Sequence, residues 1–528
     1  MKKYVVILFL LSMVAIWPFF KKGYFQSHDG EWMVIRFSAF HQTLRAGQFP
    51  VRFVDRLNNN YGYPVLNFLY PLPFYLAEVP KALGFSFVNS IKIVFAASTV
   101  ASSLAMFWAL SQRFSLPASF AASVLYIFIP YRFVDLYVRG SLGESLAFAA
   151  VPLCLGAIFK VAKGNKIFLP FLSLSVSTLI LSHNVIAFLF LPIFVVLSLL
   201  LIKKERIRLA GHFLLGLLVA SFFVLPALYD LKYVKLPQIK VGNTQDHLVD
   251  LASLVIPRWG YGPSPNGQNP LPVQIGLVPL AVFMSALYLQ SRKKAEPSLR
   301  FLLVVSILCV FLMSKFSGIF WQNFRFSDLV QFPWRLLSII VFTSSVTAAW
   351  VIDMSKNKRT LALTVAIACI LSTILYTKPQ TFVDRGDGFY STNEGTTTVA
   401  DEYMPLWVNA HKNSRADQKI ELVGEGQIKN LNIKPSVYKA EIESPSGVIV
   451  NVNAVYFPGW QASVDDKKVP LNFANDFGLI NFQLPAGKHE VIIKYTESPV
   501  ATAADIVSIV AVLTTGFSFY KSWPNKKS

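Results

Sequence analysis

The stretch "YPVLNFLYPLPFYLAEVPKALGF", Tyr63 to Phe85, decides how the chain is threaded. It is apolar enough to suggest a membrane span, yet it holds four prolines, Glu78 and Lys81. Proline removes a backbone donor and clashes inside a helix, and a charge in hydrocarbon is costly. The segment reads instead as a helix pair lying on the outer membrane surface.

Every later span depends on that choice. With Lys2 and Lys3 inside, residues 4–20 cross outward. If 63–85 does not cross, spans follow at 88–110, 117–130, 145–161, 167–181, 185–201, 209–228, 271–289, 301–313, 334–352, 361–376 and 506–520. The expectation is an α-helical polytopic membrane protein of about twelve spans, with both termini cytoplasmic. The basic runs "KKERIR", "SRKK" and "KNKR" then all lie inside. A crossing at 63–85 would put them outside.

Composition agrees. Of 528 residues, 54% are hydrophobic and 15% charged, against about 25% charged in soluble domains. The net charge of +20 is largely inner-loop charge, so no nucleic acid is expected. The N-terminal "MKKYVVILFLLSMVAIWPFFKK" has the layout of a signal peptide but no small-x-small cleavage site, and reads as a retained first helix. Cys154, Cys309 and Cys369 lie in apolar runs, with no CxxC and no Cys/His cluster. They read as packing residues.

Residues 377–499 read as an extracytoplasmic antiparallel β-sandwich, because "KAEIESPSGVIVNVNAVYF" and "GLINFQLPAGKHEVIIKY" alternate with period two. This divides the chain into a membrane domain, 1–376, with a long external loop at 21–87; the sandwich, 377–499; and a final helix and tail, 500–528.

The outer loops collect the unusual polar residues. The first holds His28, Asp29, Glu31, Arg36, Asp55, Tyr63, Asn67 and Tyr70. "YRFVDLYVRGSLGES" holds Arg132, Asp135, Arg139 and Glu144; "LSHNV" holds His183 and Asn184. "LPALYD" ends in Asp230, and "WQNFRFSDLVQFPWR" holds Arg325, Asp328, Gln331 and Arg335. Ionised groups at several span edges on one side suggest a shared polar cavity.

Each residue also has a plainer reading. Asp29 precedes an amphipathic helix whose stripe is Met33, Phe37, Phe40 and Leu44, with Glu31, Ser38, Gln42 and Arg45 opposite. It can serve simply as the N-cap. His183 can be a packing group, Arg139 and Glu144 a helix-end ion pair, and Asp55–Arg56 a solvated surface pair.

An N-terminal span, an early outward Asp29, an amphipathic helix and then "NNNYGYPVLNFLYPLPFYL" resemble the GT-C superfamily of membrane glycosyltransferases. More narrowly, five pieces resemble the bacterial family named 6-pyruvoyl-tetrahydropterin synthase-related membrane proteins. These are "SHDGEWMVIRFSAFHQTLRAGQFPVRF", "YGYPVLNFLYPLPFYL", "PYRFVDLYVRGSLGES", "LSHN" and "FPWR". Nothing in the chain suggests pterin chemistry. The later "YFPGWQASVDDKKVPL" and "LPAGKHEVIIKY" are similar to the extracytoplasmic sandwich of other multi-pass glycosyltransferase-like proteins.

The resemblance implies sugar transfer from a polyprenyl-phosphate donor to a glycan, lipid or protein acceptor, with Asp29 as general base. A second acidic residue in a later outer loop would be Asp135 or Glu144. No DxD or DE pair chooses between them, so a divalent metal stays possible and its ligands unknown. Such chemistry needs a carboxylate to take the acceptor's proton and cations to receive the leaving phosphate. Arg139 and Arg335 suit the second task. Tyr63, Asn67, Tyr70 and Tyr75 would line the sugar or prenyl path. His28, Arg36, Arg132 and His183 complete the expected substrate-binding set. An aspartate base with a lipid donor predicts inversion. The competing class is a polytopic transporter or lipid flippase, for which internal repeats would be expected; none is evident between the halves.

Overall fold

The computed structural model describes residues 1–239, 242–292, 296–323 and 330–523. Arg325 and Asp328 fall outside the described residues. Six helices are long and apolar enough to cross a membrane: Phe87–Ser111, Leu142–Ala162, Asn184–Leu201, Pro333–Met354, Lys358–Tyr376 and Pro499–Ser522. Two bent pairs, Leu116–Ile127 with Pro130–Arg139 (46°) and Arg206–Val219 with Ser221–Tyr233 (68°), raise the number to eight if each is one span. The other segments expected to cross are helical but shorter, so the length criterion alone does not reach the expected count of twelve. Lys2–Ala15, Phe168–Ser182, Leu277–Arg292 and Pro297–Met313 run 14 to 17 residues, where a straight span needs about 20. Residues 63–85 form two short helices, Val65–Phe68 and Leu72–Ala82. Glu78 is held by His41 Nδ1 (2.9 Å) and Lys81 by Asp387 (3.1 Å).

The loops expected inside gather at one end. Arg113 pairs with Glu296 and lies 5.5 Å over the Phe159 ring. Lys166 meets Glu205 (2.9 Å), and Asp353 accepts from Lys358 (2.9 Å) and from the Ser115 amide (3.3 Å). The Phe87–Ser111 helix reaches from there to the other end, where its Phe87 amide donates to Asp387 Oδ1 (2.9 Å). The long first loop and the sheet domain share that second end.

The first loop and residues 377–419 are laced together. Strands β1 (Tyr24–Phe25) and β2 (Phe382–Val383) pair in a two-residue ribbon. The amphipathic helix Gly30–Arg45 buries Met33, Phe37 and Phe40 as its pattern predicts. Ser38 and Gln42 of its polar side face protein rather than water. Ser38 Oγ donates to the Tyr390 carbonyl (2.6 Å) and Gln42 Nε2 to that of Ser391 (3.1 Å). The pattern could not show this, because the covering strap lies 349 residues or more downstream.

The sheet domain begins at Ile420. One antiparallel sheet has the order β4–β5–β10–β7–β8 and the other β3–β6–β9. The strands are β3 (Ile420–Val423), β4 (Gln427–Lys434), β5 (Val437–Ser444), β6 (Val448–Val455), β7 (Trp460–Val464), β8 (Lys467–Val469), β9 (Leu479–Leu484) and β10 (Gly487–Tyr495). Tyr438, Ile442, Trp460 and Ile493 from the first sheet share one buried cluster with Ile420, Val450, Val452 and Phe482 from the second. Two sheets closing on one core make a sandwich.

Asp55 and Arg56 are not a solvated pair. Asp55 is buried and accepts from Lys419 Nζ (3.2 Å), the Ser436 amide (3.4 Å) and the Tyr438 hydroxyl. Arg56 donates to Ser38 Oγ (2.8 Å), Gln42 Oε1 (2.8 Å) and the Ser391 carbonyl. The two fasten the first loop to the strap and sandwich.

Candidate active site

The bend after Leu116–Ile127 continues as a six-residue π-helical turn, Val134–Arg139. Such wide turns often mark functional sites. The i, i+4 spacing puts Asp135 beside Arg139 (3.2 Å), and Gly140 then reverses the chain at φ +64° into the Leu142–Ala162 helix. This folds Glu144 back onto Arg139. Arg139 Nη1 donates to Tyr131 Oη (3.2 Å), Asp135 Oδ1 (3.2 Å) and Glu144 Oε2. Tyr131 donates to Glu144 Oε1 (2.7 Å), and Ser145 Oγ to Asp135 Oδ2 (2.9 Å). All five of these side chains are 0–3% exposed, so the charges exist only because they are paired.

The first loop docks on this turn. The His28 and Asp29 amides donate to the Val138 and Arg139 carbonyls (3.0 and 2.8 Å). Gly140 permits the approach: a Cβ there would stand 2.6 Å from Ser27 Oγ and 2.8 Å from the Gly30 nitrogen. Asp29 occupies the N-cap position of Gly30–Arg45, yet its side chain makes no cap bond. Ser27 Oγ takes the Gly30 amide instead (3.2 Å). The half-buried Asp29 carboxylate is thus free of the task that would have explained it trivially.

Two more elements close the cluster. Tyr70 stacks on His183 (4.9 Å between ring centroids), whose Nδ1 accepts the Ile186 amide (3.2 Å) and caps the Asn184–Leu201 helix. Burial pushes the His183 imidazole down, which keeps it neutral. Arg139 lies 4.7 Å over the Trp334 ring. The neighbouring Arg335 spends Nη1 on the Val330 carbonyl and Gln331 Oε1 (3.0 Å each) and leaves Nε buried without a partner. Asp29 and Glu144 act electrostatically on both Arg139 and Arg335.

Seven of the twelve residues singled out from sequence therefore come together: Asp29, Tyr70, Asp135, Arg139, Glu144, His183 and Arg335. The other five point elsewhere. Arg36 Nε donates to Thr397 Oγ1 (2.9 Å), and Tyr63 accepts the Tyr403 amide (3.0 Å), so both hold the strap. Asn67 donates to Asp230 Oδ2 (2.8 Å). Arg132 is fully buried, bonded to Ser102 Oγ (3.2 Å) and 4.1 Å over Phe148. His28 Nε2 donates to the Tyr261 carbonyl (3.0 Å). Sequence reasoning missed Tyr131, although 131, 135 and 139 repeat every four residues on one helical face. It also missed Trp334, for which nothing in the pattern signals a cation partner.

Among the described residues no group of three or more His, Cys, Asp or Glu could hold a metal ion. Asp135 and Glu144, the acids that resemblance offered as a second carboxylate, are already bonded to Arg139, Tyr131 and Ser145. They do not fit a cation.

Residues 404–504 match the family model "Bacterial membrane protein YfhO". That name differs from the one the motifs suggested. The chain is 28% identical over 247 residues to an uncharacterized protein of Lactococcus lactis subsp. cremoris (strain MG1363), covering 43% of this chain and 40% of the relative. Among solved structures it is similar to the arabinofuranosyltransferase AftD from Mycobacteria (TM-score 0.48, 13% identity, 74% of this chain and 28% of that one). It is also similar to the Archaeoglobus fulgidus oligosaccharyltransferase (TM-score 0.43, 14% identity, 74% and 56%). The chain thus spans less than two thirds of each. The family match and the apolar helices describe a multi-pass membrane protein.

Proposed function

We propose that the chain is a membrane glycosyltransferase moving a sugar from a polyprenyl-phosphate donor to an acceptor hydroxyl at the outer face of the cytoplasmic membrane, with inversion. The observation that carries this is the Asp29 carboxylate. It is fixed by its own backbone on the Arg139 carbonyl, released from capping by Ser27, and coupled electrostatically to Arg139 and Arg335.

In this reading Asp29 accepts the proton of the attacking hydroxyl. Arg139 and the unpartnered Nε of Arg335 stabilise the departing phosphate, whose charge grows as the sugar–oxygen bond breaks. Glu144, Asp135 and Tyr131 hold Arg139 in place. Arg36 and Tyr63 position the strap over the helix that follows Asp29. Both termini are cytoplasmic, and the sandwich is outside.

Transfer of radiolabelled sugar from a panel of polyprenyl-phosphate sugars, in membranes holding the wild type, tests the activity. Transfer lost in Arg335→Ala is expected; no transfer from any donor would sink the reading. A cysteine at Lys468 in intact cells should react with a membrane-impermeant thiol reagent. Labelling only after permeabilisation would reverse the orientation.

A further inference from the structure

A cavity of about 30 Å³ lies where three elements end, lined by Phe128, Pro130, Gln274, Leu277, Ser372 and Tyr376. Its walls are largely apolar, but Gln274 is not a passive member. This side chain is 2% exposed, and its Nε2 donates to the Arg258 carbonyl (2.9 Å). That bond fixes which way the amide faces, and leaves Oε1 buried without a partner. A buried acceptor left unmade costs about 1–3 kcal/mol. Next in the chain, the Trp259 ring stacks on the cavity wall at Tyr376 (4.8 Å, 5°), and its Nε1 is likewise buried and unpartnered. One orphaned acceptor lines the cavity, and one orphaned donor sits on the ring stacked against its wall.

The same short segment reaches the candidate base. Two residues after Trp259, the Tyr261 carbonyl accepts from His28 Nε2 (3.0 Å), beside Asp29. Arg258–Tyr261 thus joins the cavity to the loop that holds the carboxylate.

We propose that this cavity is an acceptor subsite that takes a hydroxyl-bearing arm. A hydroxyl donates to Gln274 Oε1, and the apolar walls cover the carbon that bears it. At this volume the cavity has room for one or two hydroxyl-sized groups rather than a whole sugar ring. The hydroxyl belongs to a sugar or to a glycerolipid, and the test separates them. The inference rests on the transferase reading, which is assayed independently.

The test uses the full chain in lipid nanodiscs, labelled with 5-fluorotryptophan, with the Trp259 resonance assigned by its loss in Trp259→Phe. The probes are octyl β-D-glucopyranoside and 1-monooctanoylglycerol. The glucoside should shift the Trp259 resonance, and the glyceride should not. Gln274→Leu should weaken the glucoside's apparent Kd at least about tenfold. Ser372→Leu fills the cavity from a different helix and should do the same if Gln274→Leu folds poorly. A shift with the glyceride and none with the glucoside would assign the hydroxyl to a glycerolipid and overturn the expected preference for a sugar. No shift with either probe would make the cavity a water-filled void and end the proposal. A shift in a protein that transfers no sugar from any donor would sink the transferase reading and leave a hydroxyl-binding cavity without an acceptor role. Transfer with an acceptor KM unchanged in both variants would do the reverse.

Discussion

Asp29 and Asp55 sit in the same long first loop and are held in opposite ways. Asp55 is 5% exposed, and both its oxygens accept hydrogen bonds from Lys419, Tyr438 and Ser436. Asp29 is half-buried, makes no cap bond, and interacts with Arg139 and Arg335 electrostatically. A saturated carboxylate is cement. An unsaturated one, held rigidly by its backbone, is available for chemistry. The contrast predicts that one aspartate governs rate and the other governs folding.

The largest expected effect is on Asp29. Asp29→Asn should leave the helix intact, since Ser27 makes the cap and Asn suits the position about as well. The amide cannot take a proton at neutral pH, so sugar transfer should fall by about 10²- to 10⁴-fold. Thermal stability measured beside transfer decides the matter. Near-normal transfer by a well-folded variant removes Asp29 from the mechanism and erases its difference from Asp55.

Asp55→Ala should act on folding instead. It strands the buried Lys419 ammonium, and removing one partner of a buried pair costs about 3–5 kcal/mol. The double variant Asp55→Ala/Lys419→Met should be less destabilised than Asp55→Ala alone, because the lone charge is gone. Additive losses would mean that the pair contributes nothing as a pair. Transfer per folded molecule should survive in both.

How much of this was legible depended on sequence distance. Asp135, Arg139 and Glu144 fall within ten residues, and their convergence could be read from one motif. The strand alternation of Val437–Ser444 likewise shows directly in its burial. Asp55 looked solvated because its partners come from far downstream: Lys419 and Tyr438 are 364 and 383 residues away; Arg56 likewise reaches the Ser391 carbonyl, 335 residues away. Arg36 and Tyr63 were assigned to substrate for the same reason, being polar and apparently unoccupied until residues 397–403 are laid over them. Span number is less legible, because apolarity marks a segment as buried without saying that its helix runs the full bilayer.

A smaller effect tests how tightly the candidate site is built. Gly143 lies where the Leu142–Ala162 helix meets the loop: an added Cβ would collide with the Tyr70 ring and stand 2.5 Å from the Ser182 carbonyl. Gly143→Ala should cost about 1–3 kcal/mol as overpacking. It should also lower transfer by pushing Tyr70 off His183. Tyr70→Ala in the same chain should recover part of the stability, since the ring is half of the obstruction. No recovery would place the strain at the Ser182 carbonyl.

The smallest effect lies in the sandwich, at a pair that resembles neither aspartate. Asp465 accepts from His489 Nδ1 (2.6 Å) with its own carboxylate largely in water. The bond to Asp465 raises the His489 pKa above its ordinary 6.5, and the bond to His489 lowers that of Asp465. The imidazole is therefore more readily charged in the folded state than in the unfolded one. Its contribution is fully present below pH 6.5 and fades as the pH climbs through the raised folded value. The carboxylate's part persists throughout, because its own loss needs pH to fall through a value below 3.8. The Glu490 amide donates to Asp465 Oδ1 (2.9 Å) and gives a local readout that unfolding elsewhere does not blur. After correction for intrinsic exchange, protection of this amide should decline from pH 6 to pH 9 in the wild type and stay flat in His489→Gln. Screening keeps such an exposed pair weak, so the decline should shrink in high salt. A flat wild-type profile would mean that the imidazole never charges in the fold, and that Asp465 is held by the Glu490 amide alone.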